Sequence, residues 1–172
     1  SNRLLVLCPK TLCEKWRSEL FRRFGVDARV VDAHELLELL SSSDGTGRGF
    51  AAIASMQSLR PPRGWSDDEE SDRSHIRNHR RNLARFLDDA SEGEPLVDLL
   101  VIDEAHHMRN PETLLYRLAR LVNTVASHRV LLSATPIHLR NRDLHSLLRL
   151  IDPDTFEYEQ TLDELIEINA PI

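Results

Sequence analysis

Two adjacent carboxylates, Asp103 and Glu104, directly follow the apolar run Leu99–Ile102. The run is too short for the core of a helix and is rich in strand-forming side chains, so it predicts a strand buried on both faces. Ligands of open parallel sheets bind beyond the carboxyl ends of the strands, where these acids are expected to lie. One carboxylate can hold Mg²⁺, directly or through water, while its neighbour orients and deprotonates an attacking water. The alternative interpretation is that the pair only caps the next turn.

Composition and charge limit the class of protein. The 172 residues fit one domain, and 41% hydrophobic and 29% charged residues are typical of a globular chain. No apolar run approaches the ~20 residues of a membrane span, so we expect no membrane partner. The two cysteines favour a cytoplasmic protein. A net charge of −6 argues against a wholly basic DNA-wrapping surface but leaves room for a local basic strip. Cys8 and Cys13 are expected to be reduced packing residues.

The remaining pattern alternates strands with helices, which predicts an α/β fold with a mostly parallel sheet and helices on both faces. A helix with an apolar stripe at Leu12, Trp16, Leu20 and Phe24 is expected to end at Gly25. A second helix starts at a capping box made by Asp32 and Glu35, and a third starts at Asn110 and Pro111. Residues 61–95 are polar and are interpreted as a helical insertion on the domain surface. The predicted strands are Leu4–Cys8, Ala28–Val31, Phe50–Ala54, Leu99–Ile102 and Arg129–Leu132.

Four stretches resemble, in order, motifs of the Swi/Snf type of helicase superfamily two. LLVLCPKTLCEKWRSEL resembles motif Ia and IASMQSLR resembles motif Ib. LLVIDEAHHMRN resembles motif II, the Walker B or DEAH motif, and LLSATPIHLRNRDLHSLLRLIDP resembles motif III with its leucine-rich continuation. The resemblance implies a RecA-like P-loop NTPase lobe covering residues 3–172. Within the family the chain resembles bacterial-like members more than chromatin-associated ones, because its Ser-Ala-Thr-Pro-Ile-His-Leu departs from the Thr-Pro-Ile-Gln-Asn form of eukaryotic remodellers. It is also similar to the helicase-like subunit of DISARM anti-phage systems.

The resemblance implies roles for individual residues of this chain. Asp103 would bind the Mg²⁺ of ATP and Glu104 would activate water. His106 and the Ser133-Ala134-Thr135 turn would hydrogen-bond across neighbouring strand ends and couple the nucleotide state to the grip on DNA. A metal site at His106 and His107 is poorly supported, since neighbouring histidines point apart and no H-E-x-x-H spacing is present.

The same resemblance implies contacts with the phosphates of double-stranded DNA. They are expected from Lys10 and Thr11 in motif Ia and from Ser55 and Gln57 in motif Ib. Contacts of this kind hold the nucleic acid without reading its sequence. Helix capping and turn formation explain Thr11 and Ser55 equally well, so both interpretations stay open for these two side chains.

The chain contains no G-x-x-x-x-G-K-[ST] phosphate loop. We therefore expect a partial first lobe that lacks the P-loop strand and works with a second RecA-like lobe. Alone, it should bind MgATP very weakly and hydrolyse none. The strand Arg129–Leu132 should then have one unpaired edge, which we expect to pair with a second copy of the chain or to be covered by the chain's own termini.

Two alternatives to a Swi/Snf-type DNA translocase follow from the same residues. One is another member of superfamily two, such as an RNA helicase or a restriction-type translocase, against which the leucine-rich stretch Leu139–Ile151 argues. The other is a non-catalytic lobe that only binds a partner, against which the intact Asp103-Glu104 pair argues.

Overall fold

The fold is a parallel α/β sheet, as a computed structural model of the chain shows. The structure describes residues 2–43, 49–66, 75–134, 141–158, 160–162 and 168. Five strands pair in the order β2-β3-β1-β4-β5, and every pair is parallel. The strands are β1 Arg3–Cys8, β2 Arg29–Val31, β3 Phe50–Ser55, β4 Val97–Ile102 and β5 Ala126–Leu131.

Helices connect the strands and cover both faces of the sheet. Their bounds are α1 Cys13–Phe24, α2 Ala33–Ser43, α3 Met56–Leu59, α4 His75–Asp89, α5 Leu114–Thr124 and α6 Asn141–Ile151. Side chains of one face, among them Leu5, Leu100 and Ile102, pack in a core with residues of α2 to α6. The other face, with Val6 and Val101, packs against α1. No helix within the described ranges combines the length and the apolar character that a bilayer crossing needs.

The predicted start of α2 and the predicted end of α1 are both confirmed. Asp32 and Glu35 form a reciprocal capping box at the start of α2, with backbone-to-carboxylate distances of 2.9 and 3.0 Å. Gly25 ends α1 in the left-handed conformation, with φ 65°, where a residue with Cβ is strained. Phe24, by contrast, does not continue the buried stripe of α1, because its side chain is 72% exposed.

Two element boundaries differ from the prediction. The helix expected to begin at Asn110 and Pro111 begins at Leu114 with Thr113 as its N-cap. The reason is local: Asn110 Oδ1 accepts the backbone N–H of Glu112 at 3.0 Å and so holds a turn instead of a helix start. The last strand begins at Ala126 instead of Arg129.

The segment interpreted as a surface insertion contributes to the core. Its helix α4 packs against α2 and α5. Leu83, Ala84 and Leu87 are at most 2% exposed and belong to the main hydrophobic cluster. The polar residues of α4 therefore form the outer face of an amphipathic helix whose apolar face packs in the core, and the interpretation of 61–95 as an insertion stays a prediction.

Strand β5 is an edge of the described sheet, as expected for the motif III strand. Val130 is 41% exposed and Leu132, just beyond the strand, is 39% exposed. Leu99 on the neighbouring strand β4 is also exposed. The described residues therefore leave an apolar strip open beside α1, on the sheet face that α1 covers only in part.

We expect Leu83→Ala to lower the free energy of unfolding by about 2–5 kcal/mol, because it removes a fully buried side chain from the core. Asn82→Ala on the exposed side of the same helix is the matched control and should change it by no more than about 0.5 kcal/mol. Chemical denaturation of the chain measures both. Equal effects of the two substitutions would show that α4 is only a surface element.

Candidate active site

The turn after β4 is fixed by the strands on either side of it. The backbone N–H of Asp103 donates to the Leu7 carbonyl at the end of β1, at 2.8 Å. The backbone N–H of Ala105 donates to the Leu132 carbonyl beyond β5, at 2.9 Å. Three strand ends therefore hold the two acidic residues at the carboxyl edge of the sheet, where ligands of parallel sheets bind.

The carboxylate of Asp103 is held by two N–H donors. Oδ2 accepts the indole N–H of Trp16 at 2.8 Å, and Oδ1 accepts the backbone N–H of Glu104 at 2.9 Å. Each carboxylate oxygen has two lone-pair positions, so each keeps one for a further partner. The group is half-buried and borders a cavity of about 260 Å³.

Glu104 adopts an unusual backbone conformation. Its φ of 53° makes it the one residue other than glycine with positive φ in the described chain. Such strain costs about 1–3 kcal/mol and clusters at functional sites. Its Oε2 lies 3.2 Å from His106 Nδ1, but the two groups are not oriented as a hydrogen bond. Among the described residues this buried oxygen has no hydrogen-bond donor, and it is available to a water or another ligand.

His106, in motif II, lies near Ser133 of motif III. Its Nδ1 is 3.5 Å from the Ser133 hydroxyl oxygen, at the long limit of a hydrogen bond. Ala134, the next residue, is exposed, and Thr135 lies outside the described residues. The structure thus brings His106 and Ser133 together at neighbouring strand ends, as the resemblance implies.

The surroundings of His107 lower its pKa. Burial is the largest cause, the charges of His106 and Arg109 add to it, and the charge of Glu104 opposes it. The two histidine rings are tilted, with centroids 4.3 Å apart. A lowered pKa favours the neutral imidazole of His107 at neutral pH.

The residues present fit a Mg²⁺ ion held mainly by phosphate and water. Within the described chain, no group of three or more His, Cys, Asp or Glu side chains could form a metal cage. Mg²⁺ bound to a nucleotide uses only one or two protein carboxylates and keeps several waters. Asp103, with one lone pair free on each oxygen, meets that requirement.

The candidate DNA-binding residues lie at the same edge of the sheet, on the other side of β1. The backbone N–H of Lys10 donates to Gln57 Oε1 at 3.3 Å, so motifs Ia and Ib contact each other. Lys10, Thr11 and Gln57 are exposed. Thr11 does not cap α1, whose N-cap is Leu12 without a side-chain bond.

Ser55 has a structural task in the same region. Its hydroxyl accepts the Ser58 backbone N–H at 3.0 Å and caps α3, and the residue is only 6% exposed. Of the two interpretations left open for Ser55, helix capping is the one that the structure shows.

Both cysteines are buried free thiols, as predicted, and lie against α1 and β1. Their sulfur atoms are 3.6 Å apart. Burial raises the pKa of the Cys8 thiol far above its ordinary value, and the hydrogen bond and charge of Cys13 and the charge of Asp103 add to the shift. Cys8 is therefore an unreactive packing group beside the site.

Comparison with known proteins identifies the family. A family described as the SNF2-related domain matches residues 1–171. The chain belongs to the SNF2-related domain family. RNA polymerase-associated protein RapA of Yersinia pestis (strain Pestoides F) is 32% identical over an alignment of 171 residues, which covers 95% of this chain and 15% of that protein. RapA of Vibrio atlanticus (strain LGP32) is 30% identical over an alignment of 169 residues, with the same coverage of 95% and 15%.

The fold of this SNF2-related chain also has a counterpart among solved structures. It matches a Sulfolobus solfataricus SWI2/SNF2 ATPase core in complex with dsDNA, with a TM-score of 0.55 and 19% identity. The match covers 95% of this chain and 28% of that one. The RecA-like fold and the Swi/Snf-type resemblance are thereby confirmed, while the finer assignment to the DISARM type stays a prediction. The chain spans about 15% of the length of the curated relatives named above.

The sequence did not reveal one residue of this SNF2-related site. The sequence places Trp16 in the apolar stripe of α1 and in the motif Ia resemblance, but gives it no contact with Asp103, whose carboxylate its indole N–H reaches. The spacing of apolar residues places Trp16 on the inner face of α1, but it cannot show where the one polar atom of the ring points. The signal that could have found it is the tryptophan itself, whose N–H needs a partner when the ring is buried.

Proposed function

We propose that the protein carrying this SNF2-related chain is an ATP-dependent translocase on double-stranded DNA, and that the chain forms most of its first ATPase lobe. The observation that carries the proposal is the turn after β4, with a carboxylate oriented by two donors beside a strained glutamate whose buried oxygen has none. The dsDNA bound to the Sulfolobus SWI2/SNF2 core supports DNA as the polymer. An intact acidic pair argues against a lobe that only binds a partner.

The two acids of the turn divide the chemistry. When bound, Mg²⁺ neutralises charge on the phosphates of ATP, and Asp103 holds it directly or through water. Glu104 orients the attacking water and accepts its proton. Its buried Oε2, which has no hydrogen-bond donor among the described residues, is open to such a water.

His106 and Ser133 link this chemistry to the next strand. His106 Nδ1 lies within 3.5 Å of both Glu104 Oε2 and Ser133 Oγ, so one imidazole contacts groups at the ends of β4 and β5. A displacement of Ser133 would change the contact that His106 makes between these two oxygens. We assign to these residues the coupling of nucleotide state to DNA grip.

The DNA backbone is held by the other side of the same edge. Lys10, Thr11 and Gln57 supply exposed donors at the ends of β1 and β3. Ser55 supports them by capping α3, which carries Gln57. These are phosphate-type contacts, so binding is insensitive to sequence and weakens steeply with salt.

Replacing Glu104 by Gln in the protein that carries this chain should lower ATP turnover by about 10²- to 10⁴-fold, because the general base is lost. ATP binding should be largely retained, since the carboxylate of Asp103 and its donors are unchanged. Steady-state hydrolysis and equilibrium nucleotide binding measure the two effects. Glu112→Gln, an exposed acid after the same turn, is the matched control and should be active. Near wild-type turnover in Glu104→Gln would contradict the assignment of the base.

Replacing Lys10 by Ala should raise the DNA concentration that gives half-maximal stimulation of ATP hydrolysis, without creating a preference for any DNA sequence. It should also reduce the slope of log affinity against log salt by about one unit, as expected for one lost phosphate contact. Arg22→Ala is the charge-matched control, because Arg22 lies in the last turn of α1, away from the carboxyl edge of the sheet. An unchanged DNA dependence in Lys10→Ala would exclude motif Ia from the DNA path.

A further inference from the structure

The contact between Trp16 and Asp103 joins two motifs that lie far apart in the sequence. The indole Nε1 of Trp16, on α1, donates to Asp103 Oδ2 at 2.8 Å across 87 positions of chain. Indole has a single donor and no acceptor, so this bond uses the whole polar capacity of the ring. We propose that Trp16 is a positioning residue that fixes the Mg²⁺-binding carboxylate of Asp103. The inference rests on the proposed ATPase function.

The ring of Trp16 is itself held in place. Its apolar part packs against the cluster between α1 and the sheet, which includes Val6, Leu20 and Val101. With its apolar part packed in this way, the ring directs its N–H toward the Asp103 carboxylate. The donor is therefore preorganised, and little entropy is lost when the bond forms.

The two donors on Asp103 act on different oxygens. The Glu104 backbone N–H binds Oδ1 at 2.9 Å, and Trp16 binds Oδ2. Together they set the rotation of the carboxylate about its terminal bond, a torsion that is otherwise soft. The lone pairs that remain free have a fixed direction at the border of a cavity lined by Leu12, Lys15, Trp16, Glu19 and Asp103. A carboxylate that binds a metal loses affinity when such a partner is removed, by about 10- to 100-fold.

The bond also joins the proposed Mg²⁺ ligand to motif Ia. Trp16 lies on α1, which begins at Cys13, directly after the Lys10–Leu12 turn that carries the proposed DNA contacts.

The test replaces the N–H while keeping an aromatic ring. In the protein that carries this chain, Trp16→Phe should raise the Mn²⁺ concentration for half-saturation about 10-fold, measured by electron paramagnetic resonance with a non-hydrolysable ATP analogue present. The Mg²⁺ concentration for half-maximal hydrolysis should rise by a similar factor, with a smaller change in kcat at saturating Mg²⁺. Trp16→His should recover part of the affinity, because its Nε2 can occupy the position of the indole nitrogen.

The matched control is Trp65→Phe. The indole nitrogen of Trp65 is buried and has no hydrogen-bond partner among the described residues, so this variant removes an N–H that holds no ligand. Its Mn²⁺ affinity should equal that of the wild type, and thermal melting of all three variants reports folding separately.

Two results would overturn the inference, and they can be told apart from a failure of the proposed function. Unchanged or tighter Mn²⁺ binding in Trp16→Phe, with the wild type binding Mn²⁺ and hydrolysing ATP, would show that Trp16 only packs. Loss of affinity in both Trp16→Phe and Trp65→Phe would assign the effect to general loosening of the fold. A wild-type protein that neither binds Mn²⁺ with the nucleotide nor hydrolyses ATP would instead refute the proposed function, and the inference with it.

Discussion

The site depends on the backbone hydrogen bonds that fasten the turn after β4 to its two neighbouring strands. Asp103 donates to the end of β1 and Ala105 to the residue beyond β5, both through the main chain. The Asp103 side chain adds one bond within the turn, to the Glu104 N–H, and keeps its remaining lone pairs for a ligand. Parallel pairing makes this possible, since it brings the carboxyl ends of all three strands to one edge.

The strain at Glu104 is the cost of that arrangement. A non-glycine residue in the left-handed region is unfavourable by about 1–3 kcal/mol and persists only where its surroundings over-determine it. Here the bond from the Glu104 N–H to Asp103 Oδ1 and the bond from Ala105 to Leu132 enclose the residue from both sides. The same Asp103 carboxylate thus stabilises the turn and offers its remaining lone pairs to a ligand.

The sequence predicts the parts of this structure that depend on local chemistry. The strand before Asp103, the capping box of Asp32 and Glu35 and the stop at Gly25 are each decided by residues a few positions apart, and each is found. The sequence-based prediction is wrong where two nearby residues could both cap a helix. Asn110 is predicted to start α5, but its side chain forms a turn and Thr113 caps the helix. For α4, the composition describes its polar outer face, while the contacts of its apolar face with α2 and α5 depend on the whole fold.

The hardest part to predict is the polar contact made by a residue chosen for packing. Trp16 fits the apolar pattern of α1, so the pattern gives no information about the contact of its indole nitrogen. The position of that nitrogen follows from where α1 crosses the sheet, which is a property of the whole fold. Trp16 lies one turn into α1, close to the motif Ia turn from which the helix starts, and its indole N–H reaches the motif II carboxylate. The N-terminal end of one helix therefore joins the residues proposed to contact DNA to the proposed Mg²⁺ ligand.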